Sequence, residues 1–150
     1  GAAELRRLPR ATIERAIYPV GFWRTKARGL HAVCDTLLER HAGEVPADLD
    51  ALLALPGVGR KTANLVITFA FGLPGICVDT HVHRIANRLG WVKTRMPEET
   101  EQALYRAIER RWWSRINQYL VTWGQNVCRP VYPRCRTCPI VTVCRRVGVS

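Results

Sequence analysis

Leu55-Pro56-Gly57-Val58-Gly59-Arg60-Lys61-Thr62 is the stretch on which the reading of this chain turns. Pro56 fixes its own φ and has no N–H to donate, and Gly57 and Gly59 lack the Cβ atoms that would obstruct a tight turn or a close approach by another molecule. Upstream, Leu49, Leu52 and Leu53 recur at helical spacing, and downstream Leu65, Val66 and Phe69 do the same. The stretch therefore reads as a narrow turn between two amphipathic helices, the second running from Arg60 to Phe71. Amides that open this second helix have no partner inside it and sit at its positive dipole end, so they suit a phosphate. An ordinary αα-hairpin with a glycine-rich bend shares the pattern, and only the rest of the chain separates the two readings.

The charge balance is lopsided. Lys and Arg number 23 against 12 Asp and Glu, a net +11 in 150 residues, which is typical of a polyanion binder. From Arg110 to Ser150 there are eight arginines and no acid. A basic tail on membrane lipid or RNA would share the charge but would not need the hairpin. No apolar run approaches the ~20 residues that cross a bilayer, and the first residues do not read as a signal peptide, so a soluble intracellular protein is expected. One domain's worth of chain buries roughly 70% of its unfolded surface.

Working outward, Ile13, Ile17 and Val20 line a helix end before Pro19 and Gly21 break it. From Thr25 to about His41, Leu30, Val33, Leu37 and Leu38 recur at helical spacing, with Gly43 placed to stop the helix. Asp48 is a cap candidate for the helix entering the hairpin. Ile76-Cys77-Val78 reads as a short extended apolar piece, and Asp79 and Thr80 suit the start of a helix over His81 to Leu89, ended by Gly90. Pro97-Glu98-Glu99 opens another helix, along which Leu104, Ile108 and Trp112 fall at i, i+4 and i+8. Ile116, Leu120 and Trp123 repeat that spacing in a last helix reaching about Val127. No strand ladder emerges, so the fold class is all-α.

Cys128, Cys135, Cys138 and Cys144 read C-x6-C-x2-C-x5-C. Four thiols so compactly placed in an intracellular chain point to a metal centre rather than disulfides. Spacing leaves zinc and a [4Fe–4S] cluster equally open, since both take four thiolates. Cys34 and Cys77 sit in apolar surroundings and read as core residues. Trp112 and Trp113 read as core or interface aromatics.

The hairpin, Val78-Asp79-Thr80-His81 and the cysteine array together resemble the helix-hairpin-helix DNA base-excision glycosylases related to endonuclease III. The three motifs occur in the family's order, and the resemblance covers nearly the whole chain from about Ile13. It implies the all-α helix-hairpin-helix glycosylase fold with a C-terminal [4Fe–4S] cluster loop held by Cys128, Cys135, Cys138 and Cys144. It also implies residues 1–95 as a partial helical barrel domain, with the hairpin at about 48–71, and 96–150 as a helical and cluster-loop region. In relatives further helices precede this point and carry a glutamine-containing wedge; nothing here matches it, and the chain is expected to lack those helices and to expose an apolar face.

Resemblance likewise implies the chemistry. Breaking an N-glycosidic bond builds positive charge on the deoxyribose, and an amine attacking C1′ gives a Schiff base from which the 3′ phosphate is eliminated. A lysine at its ordinary pKa of about 10.4 is neutral in only about one molecule in 2,500 at pH 7. Lys61, in the first turn of its helix and beside Arg60, meets a dipole and a charge that both disfavour an ammonium. Its place in the family motif makes it the Schiff-base nucleophile, and Asp79 the carboxylate that steadies the sugar cation and helps deprotonate the amine. Thr80 and His81 then hold local hydrogen bonds. Leu55, Pro56, Gly57, Val58, Gly59, Arg60 and Thr62 of the hairpin are the implied DNA contacts, with Arg129 and Arg134 of the cluster loop as further phosphate contacts. Charge compensation of the cluster by Arg129, Arg134, Arg136, Arg145 and Arg146 is the alternative for that loop. The expected partner of this monomer is double-stranded DNA holding damaged pyrimidines or abasic sites, with no membrane, in the cytoplasm or nucleoid of a bacterium or the nucleus or mitochondrion of a eukaryote. The activity implied is a glycosylase and AP lyase for oxidised pyrimidines. Two other functions compete: a monofunctional mismatch glycosylase, whose members generally lack a lysine at the position of Lys61, and a non-catalytic DNA-binding or redox-sensing module.

Overall fold

The computed structural model describes residues 1–149. Among them there is no strand, and the chain divides by compactness at Gly59 and Arg60 into two units. No helix among the described residues is long and apolar enough to cross a membrane.

The first unit holds α1 (Ala2–Arg7), α2 (Arg10–Ile17), α3 (Trp23–Arg40) and α4 (Leu49–Leu53). Helices α1 and α2 both pack on α3, burying Ile13 against a face made by Ala27, Cys34 and Leu37. Arg6 pairs with Asp35, and the Leu8 carbonyl lies 3.0 Å from His31 Nε2. Helix α3 stops where the glycine predicts: Gly43 takes φ +82°, and its N–H reaches the Leu37 carbonyl at 2.9 Å. Leu38 is not core, however. It is 40% exposed, one step round the helix from the Cys34–Leu37 face. Asp48 caps α4 as expected, its Oδ1 accepting from the Ala51 N–H at 2.8 Å.

The second unit holds α5 (Arg60–Phe69), α6 (Thr80–Leu89), α7 (Pro97–Ala107) and α8 (Trp113–Asn126), followed by the cysteine loop with one 3-10 turn at Cys135–Thr137. Its core is Ile76, Val78, Val82, Ile85, Ala86, Leu89, Leu104, Ile116 and Leu120. Helix α6 lies against α8 at Gly124, where a Cβ would fall 2.4 Å from His81 Nδ1. It ends at Gly90, whose φ of +78° turns the Gly90 and Trp91 amides back onto the Asn87 and Ala86 carbonyls, each at 3.0 Å.

Two expectations fail here. Helix α5 ends at Phe69 rather than Phe71, and it buries Ala63, Asn64, Ile67 and Thr68 while Leu65 and Phe69 stand 39% and 60% exposed. Polarity misplaces the face because the two inward polar side chains are satisfied where they lie. Asn64 Nδ2 donates to the Arg60 carbonyl at 3.1 Å, and Thr68 Oγ1 donates to the Asn64 carbonyl at 2.8 Å. Helix α7 does not reach Trp112. It ends at Ala107, Ile108 turns extended (ψ 132°), and a separate 3-10 turn covers Arg110–Trp112. The Ile108 carbonyl is taken by the Trp113 indole N–H at 2.8 Å, while the Trp113 ring meets Tyr105 edge-on at 4.7 Å. Trp112 is left 41% exposed.

Between α5 and α6, Ile76-Cys77-Val78 is extended and buried without a sheet. Side chains take its backbone groups: the Ile76 N–H donates to the Tyr105 hydroxyl at 3.1 Å, and Asn117 Nδ2 donates to the Cys77 carbonyl at 3.0 Å. This segment delivers Asp79 to the start of α6.

Candidate active site and cysteine loop

Proline and glycine build the turn that precedes α5. The Val58 N–H donates to the Leu55 carbonyl at 3.2 Å with Gly57 at φ +74°, the pattern of a type II turn with Pro56 and Gly57 at its corners. Leu55 is buried, 4% exposed, so it anchors the turn, while Pro56, Gly57 and Gly59 face solvent. Gly59 has nothing within 4 Å of its Cβ position, which leaves room for another molecule.

Lys61 and Asp79 line one open cleft of about 560 Å³, walled also by Arg60, Val78, Thr80, Pro97, Glu98 and Glu101. Lys61 stands exposed in the first turn of α5. The Cys77 thiol donates to its carbonyl at 3.4 Å, tying the start of that helix to the segment carrying Asp79. Asp79 caps α6: Oδ1 accepts from the His81 and Val82 amides, both at 2.9 Å, which orients the half-buried carboxylate at the cleft wall. His81 Nδ1 lies 3.1 Å from Arg84 Nη2.

Arg60 is held by a carboxylate that the sequence did not single out. Its Nη2 donates to Glu101 Oε1 at 2.6 Å and its Nε to Oε2 at 2.9 Å, with the Glu101 side chain only 3% exposed. Nothing short of the packed helices marks Glu101, since in sequence it is one of three acids opening α7.

The four cysteines of the array come together. Cys128, Cys135, Cys138 and Cys144 line a single cavity of about 410 Å³ with Ile85, Leu89, Trp123 and Ile140. Among the described residues no three His, Cys, Asp or Glu converge tightly enough to hold one metal ion. Two arginines four residues apart on α6, also missed in sequence, hold this loop. Arg88 Nη1 donates to the Arg129 carbonyl at 2.6 Å and approaches Cys128 Sγ at 3.4 Å, and its Nη2 donates to the Pro130 carbonyl at 2.9 Å. Arg84 Nη2 donates to the Cys128 carbonyl at 2.9 Å. Burial, then the neighbouring Arg88, holds the Arg84 guanidinium below the ordinary arginine range. Their i, i+4 spacing was the available signal, without a hint of the partner. Arg129, Arg134, Arg136, Arg145 and Arg146 are all exposed.

Residues 2–110 match the family model of the HhH-GPD superfamily base excision DNA repair proteins. The chain belongs to that superfamily. Among characterised HhH-GPD proteins it is 48% identical over 136 residues to endonuclease III-like protein 1 of Mus musculus, covering 89% of this chain and 45% of the mouse protein. It is also 48% identical over 124 residues to endonuclease III of Thermotoga maritima, covering 83% of this chain and 58% of that one. This chain thus spans about half the length of the curated relatives it matches. A solved structure of a trapped endonuclease III–DNA covalent intermediate, an estranged-adenine complex, shares its fold at TM-score 0.88 and 38% identity, over 97% of this chain and 68% of that one.

Proposed function

We propose that this chain carries the catalytic part of a bifunctional DNA glycosylase and AP lyase that removes oxidised pyrimidines from double-stranded DNA. The observation that carries the reading is the sharing of one cleft by Lys61 and Asp79, together with a structural relative that has been trapped covalently on DNA. A target base inside a duplex is out of reach, so the nucleotide is flipped into the cleft. The neutral Lys61 amine attacks C1′ of the deoxyribose as the C1′–N bond to the base breaks, and the base leaves with a proton. Asp79 steadies the positive charge on the sugar and accepts the proton that the amine sheds. Ring opening gives a Schiff base; loss of a C2′ proton then expels the 3′ phosphate, and water releases the lysine. The hairpin from Leu55 to Gly59 with Arg60 and Thr62, and Arg129 and Arg134, grip the flanking phosphates. In this reading residues 1–95 form the barrel part and 96–150 the cluster part.

The cysteine set fits the iron–sulfur group of the family. Four sulfur donors line one largely apolar cavity, and Arg88 reaches Cys128 Sγ. Cys128, Cys135, Cys138 and Cys144 would hold a [4Fe–4S] cluster, whose contribution is to cross-link the loop rather than to supply an electron. Iron and acid-labile sulfide should each be found at about four per chain; one zinc and no sulfide would remove the cluster.

Borohydride reduction during turnover of a duplex with one oxidised pyrimidine tests the chemistry. Wild type should give base loss, nicking and a covalent adduct; Lys61→Ala should give no adduct, and Asp79→Asn should fold and bind but lose at least about 100-fold in excision rate. Base loss without nicking would indicate the monofunctional enzyme, and binding alone the non-catalytic module. Trapping by Lys61→Ala equal to wild type would remove Lys61 from the mechanism.

A further inference from the structure

The cleft contains one feature that the lysine chemistry does not use. Glu101 is a carboxylate with a 3% exposed side chain, placed on α7 and bound through both oxygens to Arg60, the first residue of α5. Burying an ion pair is costly, and such a pair is weak evidence of stability by itself. It is also not isolated. One turn further along each helix, Tyr105 donates its hydroxyl proton to Asn64 Oδ1 at 3.3 Å and accepts the Ile76 N–H at 3.1 Å. Asn64 Nδ2 in turn donates to the Arg60 carbonyl at 3.1 Å. The two rungs, 60 to 101 and 64 to 105, thus fix the first turns of α5 against α7, and the second also fixes the extended segment that ends at Asp79. Lys61 follows Arg60 directly and opens onto the same cleft as Asp79, Glu98 and Glu101.

We propose that Glu101 is a positioning residue for Lys61: by gripping Arg60 in a two-pronged contact it sets where the amine stands relative to Asp79. This rests on the reading of Lys61 as the nucleophile. A bidentate guanidinium–carboxylate contact restrains the relative orientation of its two groups more tightly than a single hydrogen bond or a packed apolar pair does. Displacing a reacting atom by about 1 Å can cost about 100-fold in rate without loss of substrate affinity.

Two measurements on the full chain test it. In the first, Glu101→Gln, Arg60→Met and the double variant are compared with wild type in single-turnover trapping on an abasic-site duplex, with the folded fraction followed by circular dichroism. Glu101→Gln should slow adduct formation about 10- to 100-fold while the duplex Kd changes less than about threefold. The double variant should be no slower than the slower single variant, because both substitutions break one contact. In the second, protein labelled with 13C at the lysine Cε is observed without DNA. The chain has three lysines, Lys26, Lys61 and Lys93, and only the Lys61 signal should move in Glu101→Gln. Multiplying rate losses in the double variant, a rate loss no larger than the loss of folded protein, or an unmoved Lys61 signal would each overturn the proposal. A wild type that forms no adduct while the Lys61 signal still responds to Glu101→Gln would uphold the positioning and overturn the lyase reading instead.

Discussion

Cys77 is 1% exposed and spends its thiol proton on the Lys61 carbonyl. Burial pushes this thiol from an ordinary 9.0 up to about 11. Above pH 9 the unfolded chain releases a proton that the folded chain keeps until about pH 11, so the stabilisation is full below about 9 and is lost as pH rises to 11. Burial raises Cys34 and Tyr105 in the same direction, so the difference between variants is the clean readout. Urea midpoints of wild type and Cys77→Ala should converge between pH 9 and 11; parallel curves would mean that the thiol is not coupled to folding. At this scale the sequence was informative wherever a residue acts through its own backbone. Asp48 and Asp79 as caps, and Gly43, Gly57 and Gly90 as turn residues, could be read directly because φ preference and capping are local. Glu101, Arg84 and Arg88 could not, because their partners lie about forty residues away.

Helix α6 links the two centres: Asp79 caps its start, and Arg84 and Arg88 on its later turns hold the cysteine loop. Its seat against α8 depends on Gly124, where an added Cβ would lie 2.4 Å from His81 Nδ1 and 2.9 Å from Arg84 Nη2. Both neighbours are side-chain atoms already engaged with one another, so they yield only by giving up that contact. Gly124→Ala should cost about 1–3 kcal/mol, read as a lower Tm, with His81→Ala recovering part of it. An unchanged Tm would mean that the two helices have slack there. The existence of α2 to α8 was legible from apolar periodicity, but α1 was not, nor were the buried face of α5 and the end of α7. In α5 the buried Asn64 and Thr68 look polar in sequence and are satisfied inside. In α7 a periodic pattern continued across Ile108, where tryptophan packing ends the helix.

Across the molecule, on the proposed function, the charge of +11 and the exposed Arg129 and Arg134 predict DNA binding that is salt-dependent in a countable way. Arg129→Ala and Arg134→Ala should each weaken binding to damaged and undamaged duplex alike and lower the slope of log K against log salt by about one. A loss confined to the damaged duplex would place these side chains at the lesion instead. That experiment meets the strip along the end of α5 and the residue after it, where Leu65, Val66, Phe69 and Ala70 line a shallow depression open to water. At low ionic strength mutual repulsion keeps like-charged molecules apart; added electrolyte removes the repulsion as it loosens the grip on phosphate. Repulsion then no longer opposes contact between such patches on separate copies, so the salt titration is run at several protein concentrations, and a slope that stays the same across them belongs to the release of DNA alone.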